Sequence, residues 1–248
     1  MYSLNQFKLA DMTSCGSALR KLGQNATHME AAAQNLTQYL YRSFRDPYTQ
    51  ETELALVRVF KTHPYGHLPP GLQTLARATI APTPPTDALR CLTLLSTTGD
   101  QPEWNDRTQS QDHQVIPLTS VQMVHQVPMI AQLITQLGLA IEHVVTPDPA
   151  LIMDLQERTY NVFHIPQALG SPYIPAQTEF VQPYGIESVL GFGGILPSGS
   201  LLVIILFSKS PISRTTAEFF KTLALNAKMA VFPLDQPQIF SPAPNAKP

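Results

Sequence analysis

The chain contains 248 residues, of which 44% are hydrophobic and 14% are charged, and its formal net charge is −2. This apolar content excludes a disordered chain, and without any run of lysines or arginines the sequence predicts no nucleic-acid partner, which would need a basic patch. The longest fully apolar run, residues 201–207, is much shorter than the roughly 20 residues of a membrane-spanning helix, and the N-terminus lacks the apolar core of a signal peptide, so no membrane partner is predicted.

The first sixty residues predict two helices and a strand. A weak helix covers about 11–22, and a stronger one covers 27–44, where apolar residues recur every three or four positions. Thr27 and Glu30 have the spacing of a capping box at the start of the second helix. The run 53–61 then predicts a largely buried strand.

The middle of the chain predicts a helix, a strand and a long loop. Two prolines suit the first turn of a helix over 69–80, and the apolar run 88–97 predicts a second strand. Between Gly99 and Val115 the sequence is polar and aperiodic, and it contains the only tryptophan, Trp104.

A helical pattern resumes over 117–139 and is predicted to split or kink at Pro128, which has no backbone N–H to donate. Gly138 is positioned to end this helix. A short helix over 148–158 and a strand over 159–166 follow, and then a loop with one or two helical turns.

The stretch GFGGILPSGSLLVIILFSKSPISRTTAEFF, residues 191–220, contains three closely spaced glycines, a turn and a helix start. The glycines match neither G-x-G-x-x-G nor G-x-x-x-x-G-K-[ST], and a strand follows them instead of a helix, so no phosphate-binding loop is predicted. We instead predict a hairpin of strands over 187–195 and 200–208, with Gly199 in its turn. The glycines then allow a bulge, or a close approach by a ligand or a neighbouring backbone.

A last helix is predicted over 213–231, where Thr215 and Glu218 repeat the capping-box spacing ahead of an apolar stripe. The proline-rich residues after it have the composition of a linker. We predict three regions: a helical extension over 1–47, a main domain over 48–233 and a disordered tail over 234–248.

The hairpin and final helix, with the phrases GSLLVI, FSKSPI and FKTLA, resemble the last third of GAF domains, the small-molecule sensor modules of bacterial signalling proteins. The phrases CLTLLSTTGDQPEWNDR and TYNVFHIPQALGSPYIPAQ extend the resemblance to the N-terminal sensory region of bacterial hybrid histidine kinases and related proteins, over roughly residues 10–233. The resemblance implies an α/β (α+β), GAF/PAS-like fold: a mostly antiparallel central sheet of five or six strands, flanked by helices and preceded by a helical extension. It implies a sensing role and names no ligand.

Aromatic and polar residues in predicted loops and strand ends form the candidate wall of a ligand pocket. Small-molecule sites are mostly apolar and contain a few placed polar groups. The alternative interpretation is that Trp104 and Phe163 belong to the core. The candidate ligand-binding residues are Tyr65, Trp104, Asn105, His113, Phe163, His164 and Tyr173.

Several histidines are candidate ligands of a metal or a haem group. His63 and His67 have i, i+4 spacing, but the intervening Pro64 indicates a turn, so we predict two loop histidines and no metal site. His164 and His113 are the best candidates for a haem ligand, because one histidine in an apolar pocket suffices. The alternative for each is an ordinary half-buried histidine.

No catalytic signature occurs in the sequence, and we predict that the protein is not an enzyme. Cys91 lies within an aliphatic strand, where a thiol is usually inert, and no G-x-S-x-G elbow is present. Cys15 is far from Cys91, which predicts no disulfide framework and a reducing, cytoplasmic location.

The function predicted from these features is non-catalytic sensing of a small molecule. Ligand binding between the sheet and its covering loops would change the packing of the terminal helices. The alternatives are a sensor that binds haem or another cofactor, and a ligand-free dimerisation or scaffold module. Helices 27–44 and 213–231 carry apolar stripes that suit either the sheet or a partner helix, so the predicted protein partners are a second copy of the chain and a signalling output protein.

Overall fold

The structure, a computed structural model, describes residues 1–80, 82, 84–110 and 113–242. Six strands within these residues form one antiparallel sheet. They are β1 (Leu54–Pro64), β2 (Arg90–Gly99), β3 (Val115–Pro117), β4 (Phe163–Ile165), β5 (Ser188–Ile195) and β6 (Leu201–Ser208). Their order across the sheet is β3-β2-β1-β6-β5-β4.

Eight α-helices in the described part of the chain surround this sheet. They are α1 (Leu9–Lys21), α2 (Met29–Ser43), α3 (Pro70–Ile80), α4 (Val121–His125), α5 (Pro128–Gln136), α6 (Ile141–Val145), α7 (Ile152–Glu157) and α8 (Arg214–Val231). None of them combines the length and the hydropathy needed to cross a membrane.

Each face of the sheet has its own apolar layer. The α8 face is covered by α1, α2 and α8, and the α5 face is covered by α4, α5 and α6. In β6, Leu202 and Leu206 contribute to the α8 face, whereas Val203 and Phe207 contribute to the α5 face. Successive residues of a strand alternate between the two faces of the sheet. Because this sheet is covered on both faces, the sequence of a central strand is a continuous apolar run.

The predicted fold class, a mostly antiparallel sheet of five or six strands flanked by helices, is confirmed. The helix split at Pro128 is confirmed as well, because α4 ends at His125 and Pro128 is the first residue of α5. Gly199 has the positive φ expected of the hairpin turn, +72°. The short elements β3 and α6 were not predicted from the sequence.

Both predicted capping boxes are wrong. In α2 the N-cap is His28, and the carboxylate of Glu30 instead pairs with Arg107. In α8 the N-cap is Ser213, whose Oγ accepts a hydrogen bond from the backbone N–H of Thr216 at 3.0 Å. The spacing rule depends on the exact first residue of a helix, which the apolar stripe fixes only to within a residue or two.

The predicted extension and tail pack against the main domain. Residues 1–47 include α1, which packs on α8, and α2, which packs on β1 and β2. In the predicted tail, Ile239 and Phe240 are buried, and Ile239 O accepts a hydrogen bond from the backbone N–H of Glu30 at 2.9 Å. Ile239 and Phe240 therefore belong to the apolar layer of the α8 face. The remainder of the predicted tail, 243–248, lies outside the described residues.

The surroundings of Gly193 explain why one of the glycines in the stretch 191–194 is needed. A Cβ at this position would lie 2.0 Å from the carbonyl oxygen of Leu202 on the paired strand β6. The glycine therefore permits a close approach of two backbones, which is one of the two roles that the sequence predicts.

Candidate functional site

A cavity of about 90 Å³ lies on the α5 face, between the sheet and the helices α5 and α6. Its walls are almost entirely apolar, with Arg58 and His113 as the charged or titratable exceptions. The principal apolar lining residues are Phe60, Leu92, Val203, Ile205 and Phe207 from the strands and Met129, Ile130, Leu133, Ile134 and Val144 from the helices.

Local sequence rules explain why α5 forms this wall. Pro128 suits the first helical position because its missing N–H would have no partner there. Ile130, Leu133 and Ile134 follow at spacings of three and four residues, so they lie on one side of α5 and are buried against the sheet. Gly138, with a φ of +82°, then ends the helix as predicted.

Arg58 is a half-buried cation in the middle of the apolar strand β1. It lies between Leu56 and Phe60, which both belong to the α5 face. Its Nη2 donates a hydrogen bond to Ser110 Oγ at 3.4 Å, and its Nε is buried without a hydrogen-bond partner. Burial lowers the pKa of Arg58 to about 10, so the guanidinium stays protonated at neutral pH while it is poorly solvated.

Four of the predicted ligand-binding residues lie on the α5 face. His113 lines the cavity at its exposed side. Trp104 instead packs against Tyr184 and Phe180, with ring centroids 4.5 and 5.5 Å apart. Phe163 and Tyr173 complete the four: Phe163 is fully buried and Tyr173 is half-buried, both in the apolar layer of this face and outside the cavity lining.

Asn105 and Tyr65 have structural contacts. The side chain of Asn105 accepts a hydrogen bond from the Gly99 N–H at 3.2 Å and donates one to the Gly99 carbonyl at 3.0 Å, which fastens the loop to the end of β2. Tyr65 is buried in the apolar layer of the α8 face, and its hydroxyl accepts a hydrogen bond from Arg77 at 3.3 Å.

His164 lies on the α8 face, away from the cavity. Its ring Nε2 is 2.9 Å from the carbonyl oxygen of Ile212, so Nε2 carries the proton and donates it. Burial lowers the pKa of His164, which keeps the ring neutral. The side chain thus fastens β4 to the segment before α8.

The predicted single pocket wall is therefore not formed. Trp104 and His164 lie on opposite faces of the sheet. The physical reason is the alternation of β4, in which Phe163 and Ile165 point to the α5 face and His164 points to the other. Loop and strand-end positions indicated that these residues could be near a site, but the face to which each belongs depends on the pairing of the strands.

Arg58 is the site residue that sequence reasoning missed. The sequence did carry a signal, because a charged residue that interrupts the apolar run of a central strand must be paired, exposed or poised for a ligand. The apolar run predicts a largely buried strand over 53–61, and it does not indicate on which face the charge of Arg58 lies.

A second cluster of charged and titratable side chains lies on the α8 face, and its members pair with one another. Lys61 Nζ is 3.3 Å from Asp235 Oδ1, with the side chains only 1% and 3% exposed. The same ammonium lies 3.3 Å from His63 Nδ1, while His63 Nε2 donates to the Pro237 carbonyl at 3.0 Å. Burial, followed by the charge of Lys61, lowers the pKa of His63 to about 3. These groups satisfy one another, which is typical of a structural network.

The other residues that the sequence singled out for chemistry are Cys91 and the pair His63 and His67. Burial raises the pKa of Cys91 to about 12, so its thiol stays protonated and unreactive. The rings of His63 and His67 are 5.8 Å apart, and His63 belongs to β1 instead of the predicted loop. Across the ranges that the structure describes, no three His, Cys, Asp or Glu side chains are grouped so that they could hold a metal ion.

No family model and no curated protein matches this chain. Among solved structures, the chromophore-binding domain of an unusual bacteriophytochrome from R. palustris is similar, with 10% identity and a TM-score of 0.43 over 92% of this chain and 63% of that one. A bacteriophytochrome from the same organism has 10% identity and a TM-score of 0.42, and the alignment covers 92% of this chain and 38% of that one. The phycoerythrobilin-bound GAF domain from a cyanobacterial phytochrome has 10% identity and a TM-score of 0.40, covering 91% of this chain and 98% of that one. This chain thus spans less than two thirds of the first two structures, and similarities of this size assign it neither a family nor a ligand.

Proposed function

We propose that this chain is a GAF-like, non-catalytic sensor domain of bacterial signal transduction that binds a small molecule in the cavity on the α5 face. The cavity supports this proposal, because protein interiors are otherwise close-packed and small-molecule sites are concave and mostly apolar. Its volume of about 90 Å³ does not favour the haem alternative, since drug-sized ligands occupy roughly 300–1,000 Å³.

Ligand binding would act first on α5 and α6, whose side chains line the cavity. The terminal helices α1, α2 and α8 cover the opposite face, so a ligand would reach them through β1 and β6. The change in helix packing is set by the difference in the ligand's affinity for the two arrangements.

The test uses 1-pentanol, a neutral probe of suitable size, and measures thermal stability together with methyl NMR shifts. We expect a rise in melting temperature, because a ligand that binds the native state alone must stabilise it, and shifts concentrated on Met129, Leu133 and Val203. Val203→Phe should fill the cavity and abolish both effects, whereas Leu225→Phe on the exposed surface of α8 should preserve them. Shifts spread over both faces, or binding that survives in Val203→Phe, would refute the proposal.

Dimerisation is a second candidate, favoured by an exposed stripe at the end of α8. Leu225, Met229 and Phe232 are 55%, 47% and 52% exposed and are spaced four and three residues apart, so they share one side of the helix. Light scattering over a concentration series tests this idea. A dimer that dissociates in Leu225→Glu would support it, and a monomer at all concentrations would exclude it.

A further inference from the structure

Arg58 and His113 are the polar side chains that line the cavity, and Arg58 carries a permanent positive charge. The Nε of this side chain is buried and unpaired, and the contact from Nη2 to Ser110 Oγ, at 3.4 Å, is long for a hydrogen bond. Among the residues that the structure describes, no carboxylate forms an ion pair with Arg58. A partly buried guanidinium without a counter-charge is unfavourable unless something else neutralises it.

Thr97 lies beside Arg58 on the neighbouring strand. The register of β1 and β2 pairs these two residues directly, so both side chains are on the α5 face. Thr97 is 1% exposed, and its Oγ1 is also buried without a partner.

The two unpaired atoms indicate a missing partner. About nine-tenths of buried polar groups in proteins are hydrogen-bonded. In the described ranges, Arg58 Nε and Thr97 Oγ1 are the buried side-chain nitrogen and oxygen atoms that have no partner, and they are direct cross-strand neighbours. Two independent packing defects would not be expected to fall on one cross-strand pair, one member of which, Arg58, lines the cavity.

We propose that the ligand of this cavity is a small monocarboxylate, whose carboxylate binds Arg58 and Thr97 and whose apolar body fills the space beneath α5. This inference rests on the proposed function and names its ligand class. A guanidinium donates to a carboxylate through a planar pair of N–H groups, and a threonine hydroxyl can donate a further hydrogen bond. A single cation matches a monoanion better than a doubly charged phosphate.

The volume of the cavity limits the size of the ligand's apolar part. An apolar cavity of about 150 Å³ accommodates a six-carbon ring, so a space of 90 Å³ suits an apolar body of about four carbons. Pentanoate is a suitable probe, with 1-pentanol and pentylammonium as neutral and positively charged analogues of the same length.

Isothermal titration calorimetry with these three probes tests the inference. We expect the wild-type protein to bind pentanoate at least about tenfold more tightly than 1-pentanol, because hydrogen bonds to charged groups are the strong ones, and to bind pentylammonium more weakly than either. Arg58→Met should remove the preference for pentanoate while 1-pentanol affinity stays within about twofold. Thr97→Val, which is nearly isosteric, should weaken pentanoate binding severalfold and leave 1-pentanol unaffected.

Arg90→Met is the matched control. Arg90 is also a half-buried arginine of the sheet, but it donates a hydrogen bond to Ser200 Oγ at 3.2 Å and lies away from the cavity, so its loss should not change the pentanoate preference. Melting temperatures confirm that each variant is folded, and Thr97→Val provides the test if Arg58→Met is not.

The outcomes separate this inference from the proposed function. Equal affinity of the wild-type protein for pentanoate and 1-pentanol would overturn the carboxylate site and leave a small-molecule site in place. Equal loss of pentanoate preference in Arg90→Met would overturn it too, because a non-specific charge effect would then explain the data. Failure of all three probes to bind would count against the cavity as a ligand site altogether.

Discussion

Arg58 and Lys61 lie three positions apart in β1, and their side chains are on opposite faces of the sheet. Lys61 is paired with Asp235 and hydrogen-bonded to Ser200 Oγ at 3.2 Å, whereas the Nε of Arg58 has no partner. The two cations therefore differ in their pairing although they lie in the same strand. The difference follows from what each face presents to the cation and not from residue type.

His63, next in the Lys61 network, makes stability depend on pH. Burial and the Lys61 charge lower its pKa from an ordinary 6.5 to about 3 in the folded state. Between these values the unfolded chain binds a proton that the folded chain does not, so the free energy of unfolding falls as the pH decreases. From about pH 7 to about pH 5 we expect a loss of about 2 kcal/mol, measured by urea denaturation at each pH.

Substitution separates the contribution of His63 from that of other groups. His63→Gln should remove most of this loss, although His164, whose pKa is also lowered by burial, adds a change of the same sign. His125→Gln, at an exposed helix end, is the matched control substitution. An unaltered pH dependence in His63→Gln would show that the pKa of this histidine is the same in the folded and the unfolded protein.

Among the elements, the segment after α8 departs most from expectation. A 3₁₀ turn, Phe232–Leu234, reverses the chain and brings Asp235 onto Lys61, with Ile239 and Phe240 buried beyond it. Asp235 also accepts hydrogen bonds from Ser198 N and Oγ, both at 3.0 Å. The segment thus ties the β5–β6 turn to β1.

Asp235→Asn tests the importance of this connection. It should lower the free energy of unfolding by about 3 kcal/mol, because it leaves the Lys61 ammonium buried without its counter-charge. Adding Lys61→Met should recover part of the loss, since the unpaired charge is then removed. Denaturant unfolding of the three proteins measures both effects.

Glu218, an acidic residue on the surface of α8, provides the comparison for the buried side chain of Asp235. Glu218→Gln breaks the ion pairs of Glu218 with Arg214 and Lys221 on the surface of α8 and should cost at most about 1 kcal/mol. If Asp235→Asn were no more destabilising than Glu218→Gln, the segment after α8 would not be fastened through this ion pair.

At the scale of the whole molecule, both apolar layers share one sheet, so they should unfold together. The single tryptophan, Trp104, reports on the α5 face, while α1, α2 and α8 supply much of the helix on the other. We expect urea transitions followed by tryptophan fluorescence and by far-ultraviolet circular dichroism to coincide. Leu36→Ala, in the core of the α8 face, should shift both transitions equally.

An early transition seen only by circular dichroism would contradict this expectation. It would mean that the N-terminal helices, which the sequence predicts as an extension over 1–47, unfold as a separate unit. The burial of Leu36 and Leu40 against the sheet is the reason to expect otherwise.

The sequence alone determined the local features of this protein. The β5–β6 hairpin, the turn at Gly199, the break at Pro128 and the stop at Gly138 were all predicted correctly. Each depends on neighbouring residues: glycine tolerates positive φ, proline cannot continue a helix, and apolar periodicity marks strand and helix.

Only the tertiary structure decided which residues share a surface. It placed His164 and Trp104 on opposite faces, brought Asp235 to Lys61 across the chain, and set Thr97 beside Arg58, which lines the cavity. Strand alternation makes the side of every residue depend on register, and register is fixed by pairing between distant segments. The location and polarity of the candidate site are therefore long-range properties, which explains why the predicted pocket residues fall on both faces of the sheet and why Arg58 was missed.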